Sequence, residues 1–526
     1  MSKISNTYRR AEKFFGEMLG RYEYIHTEMD ISLIDTNGKG HIYYPECIRK
    51  VMETASVKRM ARIFQLGTII YARPNVSHTR LEHSKGTYHR TLELLQNLYD
   101  DENIKNIIIK NQYQNYMLAT LIRALLHDVG HGPFSHTMET VCNLPKGFHE
   151  EIGFRLIKEE PELRKSLNEI CPDLPELFSE IREKNFLGLN RIFEGQADLD
   201  RGDFLPRDSF FTDINFKQNS KIVSDLFKNL TLEKIVDSTG KTKIVPVFSE
   251  NQIGNLDAFF TNRFNNYRDI YYNPKAVSYE YLFKAFAETL VKGEESFKLK
   301  EFLIHNMGKK PEEIDLQEYI KFNDVEYLKG IMEVADKTQN PALRKLALMS
   351  LPPRKKLEDF YYGLMVSVEQ IDEEGNRKYT NESDENFVKR LVQLGDSEQE
   401  YQENCLTLNN NSIENIEAVL QELKSTLQIK DKNLEAVGIF SWTLKNSSYK
   451  NKPGEETYVK GKDGKIYEYS KHPERKAPII QEDMPGFCLM VPMLEANGYS
   501  KEQIDKAREI IKTHNKQIQQ EEPNKF

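Results

Sequence analysis

The sequence predicts a mainly α-helical fold with small β excursions, and three observations carry that prediction. Apolar residues recur at helical spacing from Tyr116 to His127, where Leu121 and Leu125 lie one turn apart and Ala124 sits beside them. The same kind of pattern returns from Leu81 to Tyr99, with Leu92, Leu94, Leu95 and Leu98, and again from His149 to Ile157, from Arg191 to Phe211 and over residues 255–292. Strand patterning is confined to short pieces: Leu232 to Phe248, two strands around a glycine turn, and Tyr458 to Tyr469, a hairpin around Lys462-Asp463-Gly464-Lys465.

The elements follow in chain order. Residues 47–72 read as a helix followed by the short apolar piece Thr68-Ile69-Ile70-Tyr71, and Pro74-Asn75 marks a loop. The run ending at His127 is stopped by Gly130, Gly132 and Pro133. Aromatic residues at 259, 260, 264, 267, 271 and 272 line the stretch 255–292. Beyond residue 293 the chain turns lysine- and glutamate-rich, with helical patterns at 311–349, a polar stretch from Glu382 to Asn411 and a charged terminal helix from Lys501 to Gln519. At 526 residues the chain exceeds what one growing core supports. The expected division is an N-terminal segment 1–30, a helical core 31–292 and a mixed, mostly helical C-terminal lobe 293–526 for regulation or oligomerisation.

Composition narrows the function. A hydrophobic content of 39%, a charged content of 29% and a net charge of -8 describe a soluble globular chain and argue against one that coats nucleic acid. The cysteines at 47, 142, 171, 405 and 488 show no CxxC spacing, so neither a zinc ribbon nor a disulfide framework is indicated, and a reducing, cytoplasmic setting is expected. There is no apolar leader at the start and no run of about 20 apolar residues, so no membrane partner is expected. A P-loop is missing as well, since no G-x-x-x-x-G-K-[ST] occurs.

Nine of the 12 histidines fall in the first third of the chain. The densest motif is Ala124-Leu125-Leu126-His127-Asp128-Val129-Gly130-His131-Gly132-Pro133-Phe134-Ser135-His136, in which an apolar helix ends on a His-Asp pair. Imidazole nitrogen and carboxylate oxygen together suit Mn, Mg, Fe or Zn. His83, in Ser77-His78-Thr79-Arg80-Leu81-Glu82-His83-Ser84, is a second candidate ligand at a helix start. In Gln196-Ala197-Asp198-Leu199-Asp200-Arg201-Gly202-Asp203-Phe204-Leu205-Pro206-Arg207-Asp208, a helix would place Asp200, Phe204 and Asp208 on one face with Arg201 beside them, and Asp198 and Asp203 elsewhere.

His83, then His127-Asp128, then an aspartate in a later helix, resembles the ligand order of the HD phosphohydrolases. Within them the chain is similar to the deoxynucleoside triphosphate triphosphohydrolases, the dGTPase-like and SAM-and-HD-domain group. The resemblance spans residues 31–290 and rests on Phe64-Gln65-Leu66-Gly67, the Ser77–Ser84 and His127–His136 motifs, Phe148-His149-Glu150, Asp198 to Asp208, and Thr261-Asn262-Arg263 with Tyr267 and Tyr271. It implies an HD-domain helical core and a divalent metal held by His83, His127, Asp128 and Asp200. It further implies acid–base histidines at 131, 136 and 149 near the α-phosphate, with Glu139 orienting one of them. Which of His131 and His149 protonates the leaving group stays open. Arg80, Arg201 and Arg263 correspond to phosphate contacts. Gln65 and Asp208 correspond to contacts with the sugar 3′-hydroxyl, Tyr271 to a ring against the deoxyribose, and Phe204 and Tyr267 to the remaining pocket wall. The implied reaction converts a dNTP and water to deoxynucleoside and triphosphate.

Some positions depart from the family pattern. Phe204 replaces a tyrosine, Arg201 replaces a lysine, and Pro206 removes a helix donor, which predicts a kink and a shift of Asp208. Where nucleotide-activated members carry an Asp and an Arg, this chain has Glu53 and Ala61, with Lys58 between them, so the activator pocket is not matched. A homo-oligomer, tetramer or dimer, is the expectation by resemblance. Two other readings remain open: an HD hydrolase for a different nucleotide phosphoester, and a catalytically silent nucleotide sensor or nucleic-acid-binding protein.

Overall fold

The structure is a computed structural model. It describes residues 6–521 apart from 31–32, 34–39, 74, 185–190, 213–215, 237–241, 353–369, 372–376, 379–389, 392, 395–397, 409–412, 430–432, 450–455 and 476. Much of the polar stretch Glu382 to Asn411 thus lies outside the described residues.

The chain is mainly helical, as its periodicities require. The Leu81 to Tyr99 pattern is the helix Arg80–Asp100, opened by a reciprocal cap. Thr79 N–H donates to Glu82 Oε2 at 2.6 Å while Glu82 N–H donates to Thr79 Oγ1 at 3.4 Å, which fixes the first turn that carries His83. The helix Gln114–Leu126 is buried along most of its length, including Leu118, Leu121, Ile122 and Leu125, and so is anchored in the core rather than lying on it. It ends at His127. Gly130 follows where a Cβ would stand 2.1 Å from His149 O and 2.4 Å from Gly153 N, so only glycine lets the loop pass the helix Phe148–Glu159.

The stretch Arg191 to Phe211 is not one helix. It is divided into Arg191–Glu194 and Leu199–Thr212 because Gly195 and Asp198 make a stop and a restart. Asp198 caps the second helix, its Oδ1 accepting from Arg201 N–H at 2.8 Å. That helix continues through Pro206 to Thr212. Its partners on the far side are Ile253–Asn266 and a π-helical turn, Tyr267–Tyr271, where Tyr272 N–H donates to Tyr267 O at 2.8 Å. π turns place side chains out of α register, here two tyrosines.

The hairpin over 231–249 pairs Thr231–Val236 with Thr242–Ser249 antiparallel. It is not an isolated excursion. Ser249 and its neighbours pair in parallel with Tyr458–Lys460, which pairs with Ile466–Glu468, so both predicted hairpins form one four-stranded sheet. A second sheet orders Cys405–Leu408, Gln481–Met490 and Ile439–Ser447.

One apolar core runs from Phe14 through Leu121, Leu125, Leu299 and Leu328 to Met493, and a smaller one gathers Val419, Leu423, Phe487 and Ile504. All five cysteines are buried thiols. Among the described residues no helix is long and apolar enough to cross a membrane.

Candidate functional site

Three helix ends converge on one point. His83 stands in the first turn of Arg80–Asp100, His127 and Asp128 follow Gln114–Leu126, and Asp200 stands in the first turn of Leu199–Thr212. His83 Nε2 lies 3.2 Å from His127 Nε2, 3.0 Å from Asp200 Oδ1 and 3.6 Å from Asp128 Oδ2. His127 Nε2 lies 3.4 Å from Asp128 Oδ1 and 3.4 Å from Asp200 Oδ1. Donors about 2.1 Å from a divalent ion stand about 3.0 Å apart in octahedral and about 3.4 Å apart in tetrahedral geometry, so His83, His127 and Asp128 could hold such an ion, and Asp200 Oδ1 stands at that spacing from the two imidazoles.

The ring orientations support the same fit. His127 Nδ1 donates to Ala124 O at 2.9 Å and His83 Nδ1 to Asp203 Oδ2 at 2.8 Å, which points both Nε2 atoms at each other and at two carboxylates. The concentration of negative charge shows in His83. Burial works to lower it, but hydrogen bonds to Asp200 and Asp203 outweigh burial and raise it to about 10. For Asp128, burial is outweighed by His127, Arg80 and His131, which hold its carboxyl well below the usual range.

Beside this cluster stands a second one, His131, His136, Glu139 and His149. Glu139 Oε1 is tightly hydrogen-bonded to His149 Nδ1, and Oε2 lies 3.2 Å from His136 Nδ1. Burial would raise the Glu139 carboxyl, yet its bonds to His136 and His149 hold it far below the ordinary carboxylate range. His131 stacks on His149 at a ring separation of 3.9 Å and is buried, and neither ring nitrogen makes a hydrogen bond. Its Nε2 lies 3.4 Å from Asp128 Oδ1. Burial, with Arg80 and His149 nearby, holds His131 well below the ordinary histidine value.

A third group lies around the C-terminal half of Leu199–Thr212. Tyr271 donates to Asp208 Oδ2 at 2.5 Å, His78 Nε2 is 2.7 Å from Asp208 Oδ1, and the Phe204 ring lies between those of His83 and Tyr271 at 6.2 Å and 6.3 Å. Asp208 is thus held between two partners, and Pro206 does not displace it from them. Gln65 is buried and its Oε1 has no hydrogen-bond partner. Tyr267 packs edge-on to Tyr271 at 4.9 Å and lies 5.4 Å from the Arg263 guanidinium.

The arginines are more committed than their positions in the sequence suggest. Arg80 donates to Asp128 at 2.7 Å, to Ser135 Oγ at 2.9 Å and to Gln65 O at 3.1 Å. Arg201 is paired closely with Asp198, and Arg263 reaches Ser447 O and Ser448 O at 3.3 Å and 3.4 Å. A cavity of about 150 Å³ opens on His127, Asp128, Asp200 and His149, with Leu126, Phe154, Ile157, Phe178 and Phe193 opposite. Gln65, Tyr267 and Tyr271 are not part of its wall.

Two side chains of the site escape the sequence reading. Asp203, expected to face away from Asp200, instead bonds His83 and is itself held by Arg207 at 2.8 Å. Positions i and i+3 share one side of a helix, which was the available signal. His78, inside the Ser77–Ser84 motif, braces Asp208 and stacks on Phe211 at 4.4 Å.

Residues 80–200 match the HD domain family, and that interval begins with Arg80 and ends with Asp200. The chain is 25% identical over 274 residues to the uncharacterized protein YwfO of Bacillus subtilis, 51% of this chain and 54% of that one. It is 24% identical over 255 residues to the deoxynucleoside triphosphate triphosphohydrolase SAMHD1 homolog of Dictyostelium discoideum, 46% of each chain. It spans about half the length of these curated relatives. A crystal structure of a phosphohydrolase from Bacteroides thetaiotaomicron shares the fold with a TM-score of 0.59 at 18% identity, over 89% of this chain and 100% of that one. Residues 80–200, the interval that matches the HD domain, carry the histidine and aspartate cluster of the site.

Proposed function

We propose that the chain is a metal-dependent dNTP triphosphohydrolase that releases deoxynucleoside and intact triphosphate. The observation that carries this reading is the adjacency of a four-donor cluster to a histidine pair, His131 and His149, one of which is fixed by Glu139. A divalent ion on His83, His127, Asp128 and Asp200 would polarise a phosphate oxygen and activate water.

The remaining chemistry belongs to side chains of this chain. Water attacks the α-phosphorus and loses a proton to solvent, the bond to O5′ breaks, and O5′ leaves with a proton from an imidazole that solvent then restores. Glu139 accepts from His149 Nδ1–H, so Nε2 is the nitrogen available for that transfer. His131, whose ring nitrogens make no hydrogen bond, is the second imidazole in reach of Asp128, and His136 shares Glu139.

At the sugar end, the unpartnered Gln65 Oε1 can accept a 3′-hydroxyl together with Asp208, to which Gln65 is linked through His78. Tyr271, pinned by Asp208 and backed by Phe204 and Tyr267, would exclude a 2′-hydroxyl by size. Arg201 and Arg263 suit the outer phosphates, and Arg80 keeps N–H groups beyond its three protein bonds for an oxygen near Asp128. The names of the SAMHD1-type relatives point to the same substrate class.

Purified protein with Mn or Mg is incubated with single dNTPs and NTPs, and the products are separated by chromatography. Deoxynucleoside and triphosphate in equal amounts are expected from dNTPs. Orthophosphate or diphosphate in place of triphosphate refutes the proposed cleavage, and tight dNTP binding without nucleoside identifies a sensor.

A further inference from the structure

The loop 129–135, which carries His131, is held from outside the family interval by three side chains. Arg59 is 5% exposed, and its three hydrogen bonds all go to backbone carbonyls: Val129 O at 2.9 Å, His131 O at 2.7 Å and Phe322 O at 3.2 Å. Tyr319 donates to Gly130 O at 3.0 Å, and its ring centroid lies 5.5 Å from the Arg59 guanidinium. Asp324, fully buried, accepts from Phe134 N–H at 2.6 Å and from Phe64 N–H at 2.8 Å.

The loop needs such support. Phe134 and Ser135 have φ of 55° and 56°, left-handed values that cost free energy for residues with a Cβ. Ser135 then donates to Phe64 O at 2.5 Å and accepts from Arg80 Nε at 2.9 Å. Asp324 therefore fastens two backbone segments at once, the one leading to Gln65 and the one leading to Ser135 and His136. A loop whose own residues resist its shape depends on these outer contacts for its path, and the His131 ring depends on that path for its place against His149 and Asp128.

We propose that Arg59, Tyr319 and Asp324 are positioning residues that clamp the loop 129–135 and so aim His131 at the reacting phosphate. The inference rests on the reading of His131 as an acid–base group. It adds that residues 316–324, far along the chain, belong to the working site.

The test uses the full chain and the variants Tyr319→Phe, Arg59→Lys and Asp324→Asn. Tyr319→Phe removes one hydroxyl from a ring that keeps its packing, which guards against a buried variant that fails to fold. Three readouts are taken: amide hydrogen exchange over 129–135, binding of Mn alone by calorimetry, and dNTP turnover. Exchange about fivefold faster is expected, with Mn affinity within about twofold. A kcat about tenfold lower is expected, with KM within about twofold. Unchanged exchange overturns the clamp. Faster exchange with unchanged kcat, or Mn affinity falling in step with kcat, overturns its role in aiming His131. A wild-type chain that releases no nucleoside from any dNTP refutes the proposed reaction instead, and the exchange readout then decides the clamp by itself.

Discussion

Asp203 Oδ2 stands 2.8 Å from His83 Nδ1, on the side of the imidazole opposite the nitrogen that faces His127 and Asp200. This bond fixes the tautomer and the direction of a metal-type donor, and Arg207, shared with Asp30, fixes Asp203 in turn. Asp203→Asn keeps the shape but weakens the acceptor, so Mn affinity should fall about 10- to 100-fold while the helix content is retained. Titration calorimetry with Mn, beside circular dichroism, checks this; an unchanged affinity removes Asp203 from the site.

Glu139 reaches both His136 and His149, and its charge persists because those bonds outweigh burial. Glu139→Gln can still meet His149 Nδ1 but presents no charge to stabilise a protonated ring. Turnover should drop about 100-fold with Mn binding intact. Steady-state kinetics in excess Mn decide the matter, and a kcat equal to wild type would sink the assigned role.

The parts of this site that were legible in the sequence are those set by local rules. His127-Asp128 stands at a helix end that two glycines and a proline announce, His83 stands at a helix start, and Asp200 was added to them by the family resemblance. Asp203 shares a helix side with Asp200 by its i, i+3 spacing, but that this side meets both nitrogens of His83 is a tertiary fact. Asp324 and Tyr319 meet the His131 loop across sequence separations of 190 and 189 residues, and no periodicity near them signals that contact. The same reason hides the joining of the two hairpins, whose strand patterns are local but whose partnership, Val247 opposite Tyr458, is not.

Tyr271 carries the sugar prediction. Its hydroxyl is tied to Asp208 and its ring is packed by Phe204 and Tyr267, so the ring is fixed and, in the proposed reading, would form a rigid wall for the sugar. Tyr271→Ala opens that wall, and the ratio of kcat/KM for dNTP over NTP should fall at least about tenfold. Competition assays with matched dNTP and NTP pairs measure the ratio directly; a ratio that holds steady places the discrimination elsewhere.

Asp324 makes the stability of the chain depend on pH. Burial pushes its carboxyl up to about 7, against two backbone N–H bonds and the nearby charges of Arg59 and Arg80. Between the ordinary value of 3.8 and about 7 the folded chain keeps a proton that the unfolded chain has released, so the contribution of this group is greatest at low pH and declines as pH rises. Asp324→Asn does not titrate, and it leaves one of the amides of Phe64 and Phe134 without an acceptor at a cost of about 1–3 kcal/mol. The facing groups Arg59, Arg80 and Tyr71 are common to both proteins and cancel in the difference. The stability advantage of wild type over Asp324→Asn should therefore shrink as pH rises through this window, by no more than about 1.4 kcal/mol per pH unit. Urea unfolding of both proteins at several values between about pH 4.5 and about pH 6.5 follows it, and an advantage that widened with pH would show a carboxylate held ionised by its amides.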